Sequence, residues 1–311
     1  MKKPLRLMPI YKDIIWGGNK LTTNYNKVTN LKTIAESWEL SIHPKGVSYV
    51  DGTDLSQYLK THPDSLGNQK DHLEIMIKMI DTNQPLSIQV HPDDEFAFEN
   101  EGQSGKIETW LILEANPNAY IYYGLNRSLS KDELRFRITN NTILEVLNKV
   151  FIRPQDVFII TPGTIHAIGE NITLLEIQQS SDVTYRLYDH DRKDACGNKR
   201  ELHVDKALSV CKLEQTIPSN RSIIICDNEH VKAELIDTNK YYTIKRYQIK
   251  KSFILNITKR SFVYIISIDG DNEMEYDNTA IYMVKGVSYF IPAQDTIITF
   301  LRSSTIITVT Q

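Results

Sequence analysis

The chain has 311 residues, which is enough for about two domains of ordinary size. Its 41% hydrophobic and 24% charged content is that of a globular protein, and excludes a disordered chain, a coiled coil and a collagen-like repeat. The net charge of −3, from 36 basic and 39 acidic side chains mixed along the chain, offers neither a nucleic-acid stripe nor a polybasic membrane tail. The opening MKKPLRLMPIYK carries no apolar run of a signal peptide, and no stretch approaches the ~18 apolar residues of a membrane helix. Cys196, Cys211 and Cys226, spaced 15 apart, are too far separated for a CxxC site and suit reduced thiols of a cytoplasmic protein.

Asp54–Thr61 has the pattern of a helix, and His72–Ile80 that of a helix end or a buried strand. Short runs rich in Val, Ile, Tyr, Phe and Thr then predict strands at Leu86–His91, Thr109–Glu114 and Ala119–Tyr123. Lys131–Asn140 and Thr142–Asn148 predict two short helices, the first opened by the capping box Ser130-x-x-Glu133. Strands follow at Val157–Thr161, Thr173–Gln179 and Thr184–Tyr188, and a helix at Leu202–Val210. Leu213–Arg221 has the composition of a loop and marks a boundary, with a unit of residues 1–218 before it and a smaller β unit of 219–311 after it. That second unit carries strand signals at Ser222–Cys226, Val231–Ile236, Tyr241–Ile249, Ser252–Thr258, Phe262–Ile268, Thr279–Val284, Val287–Ile291, Thr296–Leu301 and Thr305–Val309. Strands this short and evenly spaced predict sandwiches or barrels, a mainly β protein with a few short helices.

The chemistry concentrates in four segments. In Ser87-Ile88-Gln89-Val90-His91-Pro92, the strand period of two puts Gln89 and His91 on one face, and Pro92 ends the strand with His91 at its rim. In Gly105-Lys106-Ile107-Glu108-Thr109-Trp110 the same alternation groups Lys106, Glu108 and Trp110. In Thr161-Pro162-Gly163-Thr164-Ile165-His166, a Pro-Gly turn precedes His166 on the outgoing strand. Two imidazoles and a carboxylate suit Zn²⁺ with an open position, and Gln89 can add a neutral oxygen. The same set suits non-haem iron. His43, His62, His72, His190, His203 and His230 lack such company and are expected to be structural.

The fourth segment, Glu176-Ile177-Gln178-Gln179-Ser180-Ser181-Asp182-Val183-Thr184-Tyr185-Arg186, sets many polar groups between β-rich flanks. Buried without partners they would be costly, so a pocket wall accounts for them better than a core.

Together the stretches SIQVHPDD, GKIETW, TPGTIHAIG and EIQQSSDVTYRLYDHDR, with Trp16–Gly18 and Ala35–Ser41, closely resemble the type I mannose-6-phosphate isomerases of the cupin superfamily, in their short bacterial form. The resemblance runs from about residue 4 to about residue 210. It implies two jelly-roll units with one Zn²⁺ per chain in the first, on His91, Glu108, His166 and Gln89. It carries a catalytic role onto Arg186, and places Lys106 in the pocket lining. Trp16, Glu176 and Asp182 are expected to face the sugar phosphate.

The implied reaction interconverts mannose 6-phosphate and fructose 6-phosphate through a cis-enediol. It needs a base at the carbon acid, charge to stabilise the enediolate oxygens, and a phosphate site. Arg186 suits the developing oxyanion. Lys106 is either the base, its ammonium form disfavoured by a nearby metal charge, or a phosphate ligand; Glu176 is a second base candidate. Two other readings use the same fold: an iron dioxygenase of the cupin type, and a sugar-phosphate-binding protein without catalysis. No nucleic-acid or membrane partner is expected, and nothing in the sequence points to an oligomeric state.

Overall fold

The computed structural model describes residues 2–68, 71–193, 197–219 and 222–311. Cys196 and the end of the expected boundary loop, residues 220 and 221, lie outside them; Cys211 and Cys226 are free thiols. The described residues form antiparallel sheets with a few short helices. No helix among them is long and apolar enough to cross a membrane.

A six-stranded sheet runs in the order Val157–Ile160, Glu108–Ala115, Ile172–Gln179, Ile75–Thr82, Glu36–Leu40 and Ile10–Lys12. A five-stranded sheet runs Leu147–Phe151, Tyr120–Leu125, His166–Ile168, Ile88–Val90 and Tyr185–Tyr188. Trp16, Trp110, Ile112, Ile121, Phe158, Ile168 and Leu174 join the two in one buried cluster. A nine-stranded sheet holds most of the C-terminal strands, and the early strands Leu5–Met8, Tyr49–Val50 and Thr53–Asp54 join its edge. A four-stranded sheet covers its far face through Ile265, Met274, Ile291 and Phe300. The molecule is thus two β sandwiches, each of the jelly-roll kind.

The sandwiches share a core. Leu111, Leu175 and Ile177 of the six-stranded sheet cluster with Tyr264, Phe290, Ile307 and Val309 of the nine-stranded one. The inner strands of the six-stranded sheet are therefore buried on both faces, and all eight residues of Ile75–Thr82 are buried. This explains the ambiguity of that segment: a strand covered on both sides shows a continuous apolar run instead of alternation. It is a strand.

One expectation is corrected. Thr142–Asn148 is not an α-helix: Ile143–Val146 makes one 3₁₀ turn, and the chain enters the strand Leu147–Phe151. Asp94–Glu101, with no periodic apolar face, is a helix held by its ends. The Asp93 carboxylate accepts from the Phe96 N–H at 3.0 Å, and Gly102 closes the helix in the left-handed region.

Candidate metal centre and cleft

Two rows of residues face each other across the first sandwich. In the six-stranded sheet, Trp110, Glu176, Lys78 and Trp38 are successive register partners. In the five-stranded sheet, Tyr123, His166, Gln89 and Arg186 are successive partners. The rows meet where the Trp110 ring lies edge-on to His166, 5.4 Å between centroids.

His91, Glu108 and His166 converge at this meeting, all fully buried. One donor atom from each lies within 4.8 Å of the others. His91 Nε2 is 3.2 Å from one Glu108 oxygen, and His166 Nε2 is 3.8 Å from the other. The outer nitrogens are oriented by backbone: His91 Nδ1 donates to the Val183 carbonyl at 2.8 Å, and His166 Nδ1 to that of Thr164 at 2.9 Å. Both Nε2 atoms are left as lone-pair donors facing the carboxylate, the arrangement metal-ligating histidines adopt. The Thr161–His166 turn is itself anchored on the facing strand, where Gly163 N–H donates to the His91 carbonyl at 2.9 Å. Gly163 sits at φ +83°, and a Cβ there would lie 2.8 Å from the Val210 oxygen, so glycine is required.

The electrostatics fit a cation. Burial and the nearby Lys106 charge push His91 down, and burial with the His91 charge holds His166 at about 3, so both imidazoles are neutral at pH 7. Burial would raise Glu108, but Lys106 and His91 outweigh it and keep the carboxylate well below its usual range. Among the described residues neither Glu108 oxygen has an aligned hydrogen bond, although both are fully buried; His91 and Lys106 stand beside one and His166 beside the other. A buried carboxylate in that state beside two oriented neutral imidazoles fits a divalent metal ion. Gln89 stands beside the group, its amide nitrogen 3.4 Å from His166 Nε2; a turn of the amide would bring its oxygen, the atom able to ligate a metal, to the same side.

A cleft of about 380 Å³ lies beside this cluster and comes up to it at Gln89 and Lys106. Every other residue expected at the site lines it: Trp16, Gln89, Lys106, Glu176, Asp182 and Arg186. Lys106 pairs with Glu108 and stands 3.4 Å from His91 Nε2. Arg186 donates to Ser87 Oγ at 3.3 Å and to the Glu201 carbonyl at 2.8 Å. Glu176 accepts from the Trp110 indole at 2.9 Å. Asp182 pairs with Lys45 and lies 3.6 Å from His43.

The lining also holds Lys12, Lys45, Lys78, Arg200 and Glu36, which the sequence reading did not single out. Lys78 had a signal: a single lysine inside the apolar run Ile75-Met76-Ile77-Lys78-Met79-Ile80 must be paired or face a polar cavity. Lys12, Lys45 and Arg200 had none, because they come from distant segments with ordinary local composition. With them the cleft carries Lys12, Lys45, Lys78, Lys106, Arg186 and Arg200 against Glu36, Glu176 and Asp182. That excess of positive charge suits an anionic ligand.

Comparison with known proteins agrees with this geometry. The family model described as phosphomannose isomerase type I, catalytic domain, matches residues 5–140. A mannose-6-phosphate isomerase of Streptococcus mutans is 36% identical over 258 residues, covering 81% of each chain. The crystal structure of the mannose 6-phosphate isomerase from Bacillus subtilis superposes with a TM-score of 0.93 at 30% identity, covering 99% of both chains. A mannose 6-phosphate isomerase solved with zinc and yttrium shares the fold at a TM-score of 0.78 and 14% identity, over the whole of both chains. Sequence, fold and the buried His–Glu–His cluster at the head of a cationic cleft agree: the chain belongs to the type I phosphomannose isomerase family.

Proposed function

We propose that the protein interconverts mannose 6-phosphate and fructose 6-phosphate, with one zinc ion held by His91, Glu108 and His166 and with Gln89 as a fourth donor. The observation that carries this reading is the juxtaposition of a buried, metal-fitting triad with a cleft of excess positive charge. When bound, the ion supplies Lewis acidity toward the sugar oxygens.

The protein residues divide the remaining work. The proton on C2 of the aldose passes to a base and returns to C1, while the O2 proton moves to O1. The exchange through the cis-enediol balances without an oxidant. Lys106 Nζ, set against two of the metal-fitting residues, acts at this carbon pair, and proton transfer of this kind contributes ~10²–10⁴-fold. The position of Lys106 beside the triad favours the proton-transfer role over the phosphate role. Arg186 keeps its charge at any working pH and stabilises the enediolate oxygen. Glu176 is held by Trp110 and Lys78 on the opposite wall and positions sugar hydroxyls, with Trp16 and Asp182 completing the sugar site. Sugar phosphates are charged and do not leak through a bilayer, which is consistent with a cytoplasmic enzyme.

An oxygen-activating iron enzyme is not favoured: it has no need of so cationic a cleft, and the relatives are isomerases. A purely binding role is likewise disfavoured by the filled catalytic positions. The test is elemental analysis with turnover of mannose 6-phosphate before and after chelation. About one zinc per chain, with activity lost on chelation and restored by Zn²⁺, is expected; bound iron without isomerisation refutes the reading. Arg186→Ala should lower kcat by ~10²–10³-fold with zinc content unchanged.

A further inference from the structure

The C-terminal sandwich reaches the back of the metal centre through one turn. Between the strands Val231–Thr238 and Thr243–Ile249, Asn239 Oδ1 accepts the backbone N–H groups of Tyr241 and Tyr242 at 2.9 and 3.2 Å and stiffens the connection. The adjacent tyrosines point to two different anchor points, one on each side of the Lys106–Glu108 pair.

The first anchor is Asp94. Its Oδ2 accepts from the Tyr241 hydroxyl and from Lys240 Nζ at 2.9 Å, while its Oδ1 accepts from Gly105 N–H at 3.0 Å and Gln179 Nε2 at 2.8 Å. Gln179 in turn accepts the Ile107 N–H at 3.0 Å, and Lys106 N–H donates to the Pro92 carbonyl at 3.1 Å. All three successive backbone N–H groups of Gly105-Lys106-Ile107 are thereby fixed, and Asp94 joins two of those ties to Tyr241.

The second anchor is Thr109. Its Oγ1 donates to Asp237 Oδ2 at 2.8 Å and lies 3.0 Å from the buried Tyr242 hydroxyl. Thr109 and Glu108 point to opposite faces of their strand, so a tie on Thr109 holds the backbone directly behind the Glu108 carboxylate.

We propose that the Asp237–Tyr242 turn is a positioning device for the reaction: Tyr241, through Asp94, sets Lys106, and Asp237 with Tyr242, through Thr109, sets Glu108. This assigns the C-terminal sandwich a part in catalysis although none of its residues touches the substrate. The proposal rests on the isomerase reading for its kinetic arm, and on the metal alone for its second arm. Outer groups that orient metal-binding residues commonly carry a 10–100-fold effect on affinity or activity.

The test uses the full-length zinc enzyme and substitutions that each remove one hydroxyl group and so leave the fold intact. Tyr241→Phe should lower kcat about tenfold with KM within about twofold. Thr109→Val should weaken zinc binding about tenfold, measured by chelator competition without any turnover. Tyr276→Phe serves as the control; it removes a hydroxyl that donates to the Lys2 carbonyl at 2.8 Å, away from the site, and should leave both quantities unchanged. If Tyr241→Phe and Thr109→Val melt earlier but match the parent in kcat and zinc affinity, the turn is only a structural staple and the proposal falls. Equal losses in Tyr276→Phe overturn it too. If the parent enzyme does not isomerise mannose 6-phosphate, the function fails, and the zinc affinity of Thr109→Val still decides whether the turn positions Glu108.

Discussion

Lys78 Nζ stands 3.5 Å from Glu176 Oε1, the two residues in register on neighbouring strands and both buried in the wall of the cleft. The pair is unequal. Burial and the Glu108 charge push Glu176 up despite Lys78. Against its own burial, Lys78 is pulled up by Glu36, Glu176 and Glu108 together. One lysine thus neutralises part of a cluster of carboxylates, and Trp38 adds its ring face 5.1 Å away.

Removing the cation alone leaves that cluster uncompensated. Lys78→Met should destabilise the protein by about 3 kcal/mol in urea denaturation. The double variant Lys78→Met with Glu176→Gln should recover part of this loss, because it removes a buried charge as well. No recovery would mean that packing, and not charge, accounts for the effect of Lys78.

His166→Ala should release the metal. The variant deletes one of three converging donors, and neither Glu108 nor His91 can reach further from a strand and a strand end. Elemental analysis after desalting should find far less than stoichiometric metal. Full retention would exclude His166 as a ligand.

The histidines also set a pH dependence for the metal-free protein. Their folded values lie below the ordinary imidazole range, with His166 at about 3. The unfolded chain therefore binds protons first, and the stability contributed by these neutral rings is complete above about pH 6.5. It declines as pH falls from there toward 3. Urea midpoints of the chelated protein should drop between pH 7 and 5, with a smaller drop in His166→Ala. Zinc affinity should fall over the same interval, since protons and metal compete for the same nitrogens.

Gly105→Ala tests how closely the Lys106 backbone must be held. A Cβ at this position would lie 2.4 Å from the Asp93 carbonyl carbon and 2.5 Å from Asp94 N, so the loop must move. A displacement of about 1 Å can cost up to ~100-fold in rate. The expected result is a loss in kcat with the metal retained; unchanged kcat would show that Lys106 tolerates displacement.

Much of this protein was legible before folding was considered. Alternation along a strand is a local property with a period of two, so Gln89 with His91, and Lys106 with Glu108 and Trp110, could be grouped on common faces from the sequence. The Pro-Gly turn before His166 and the polar run from Glu176 to Arg186 were similarly local; His91, Glu108 and His166 converge, and Gln89, Lys106, Glu176, Asp182, Thr184 and Arg186 line one cleft. The capping box of Ser130 was also local, with the Glu133 N–H donating to Ser130 Oγ at 3.1 Å.

What escaped depends on contacts between segments far apart in the chain. A helix such as Asp94–Glu101, stabilised at its caps and by Asp94's bonds to Gly105 and Tyr241, has no apolar period to betray it. A strand covered on both faces, such as Ile75–Thr82, loses the alternation that would distinguish it from a helix. Lys12, Lys45 and Arg200 enter the cleft because sheet pairing and loop closure bring them there, and pairing partners are chosen by burial across the whole core. Nothing near Thr109 foretold that Asp237 and Tyr242, more than a hundred residues onward, would sit behind the metal centre. Residue types and spacing specify which groups can do chemistry, while the free energy of packing two sandwiches against each other sets where those groups stand.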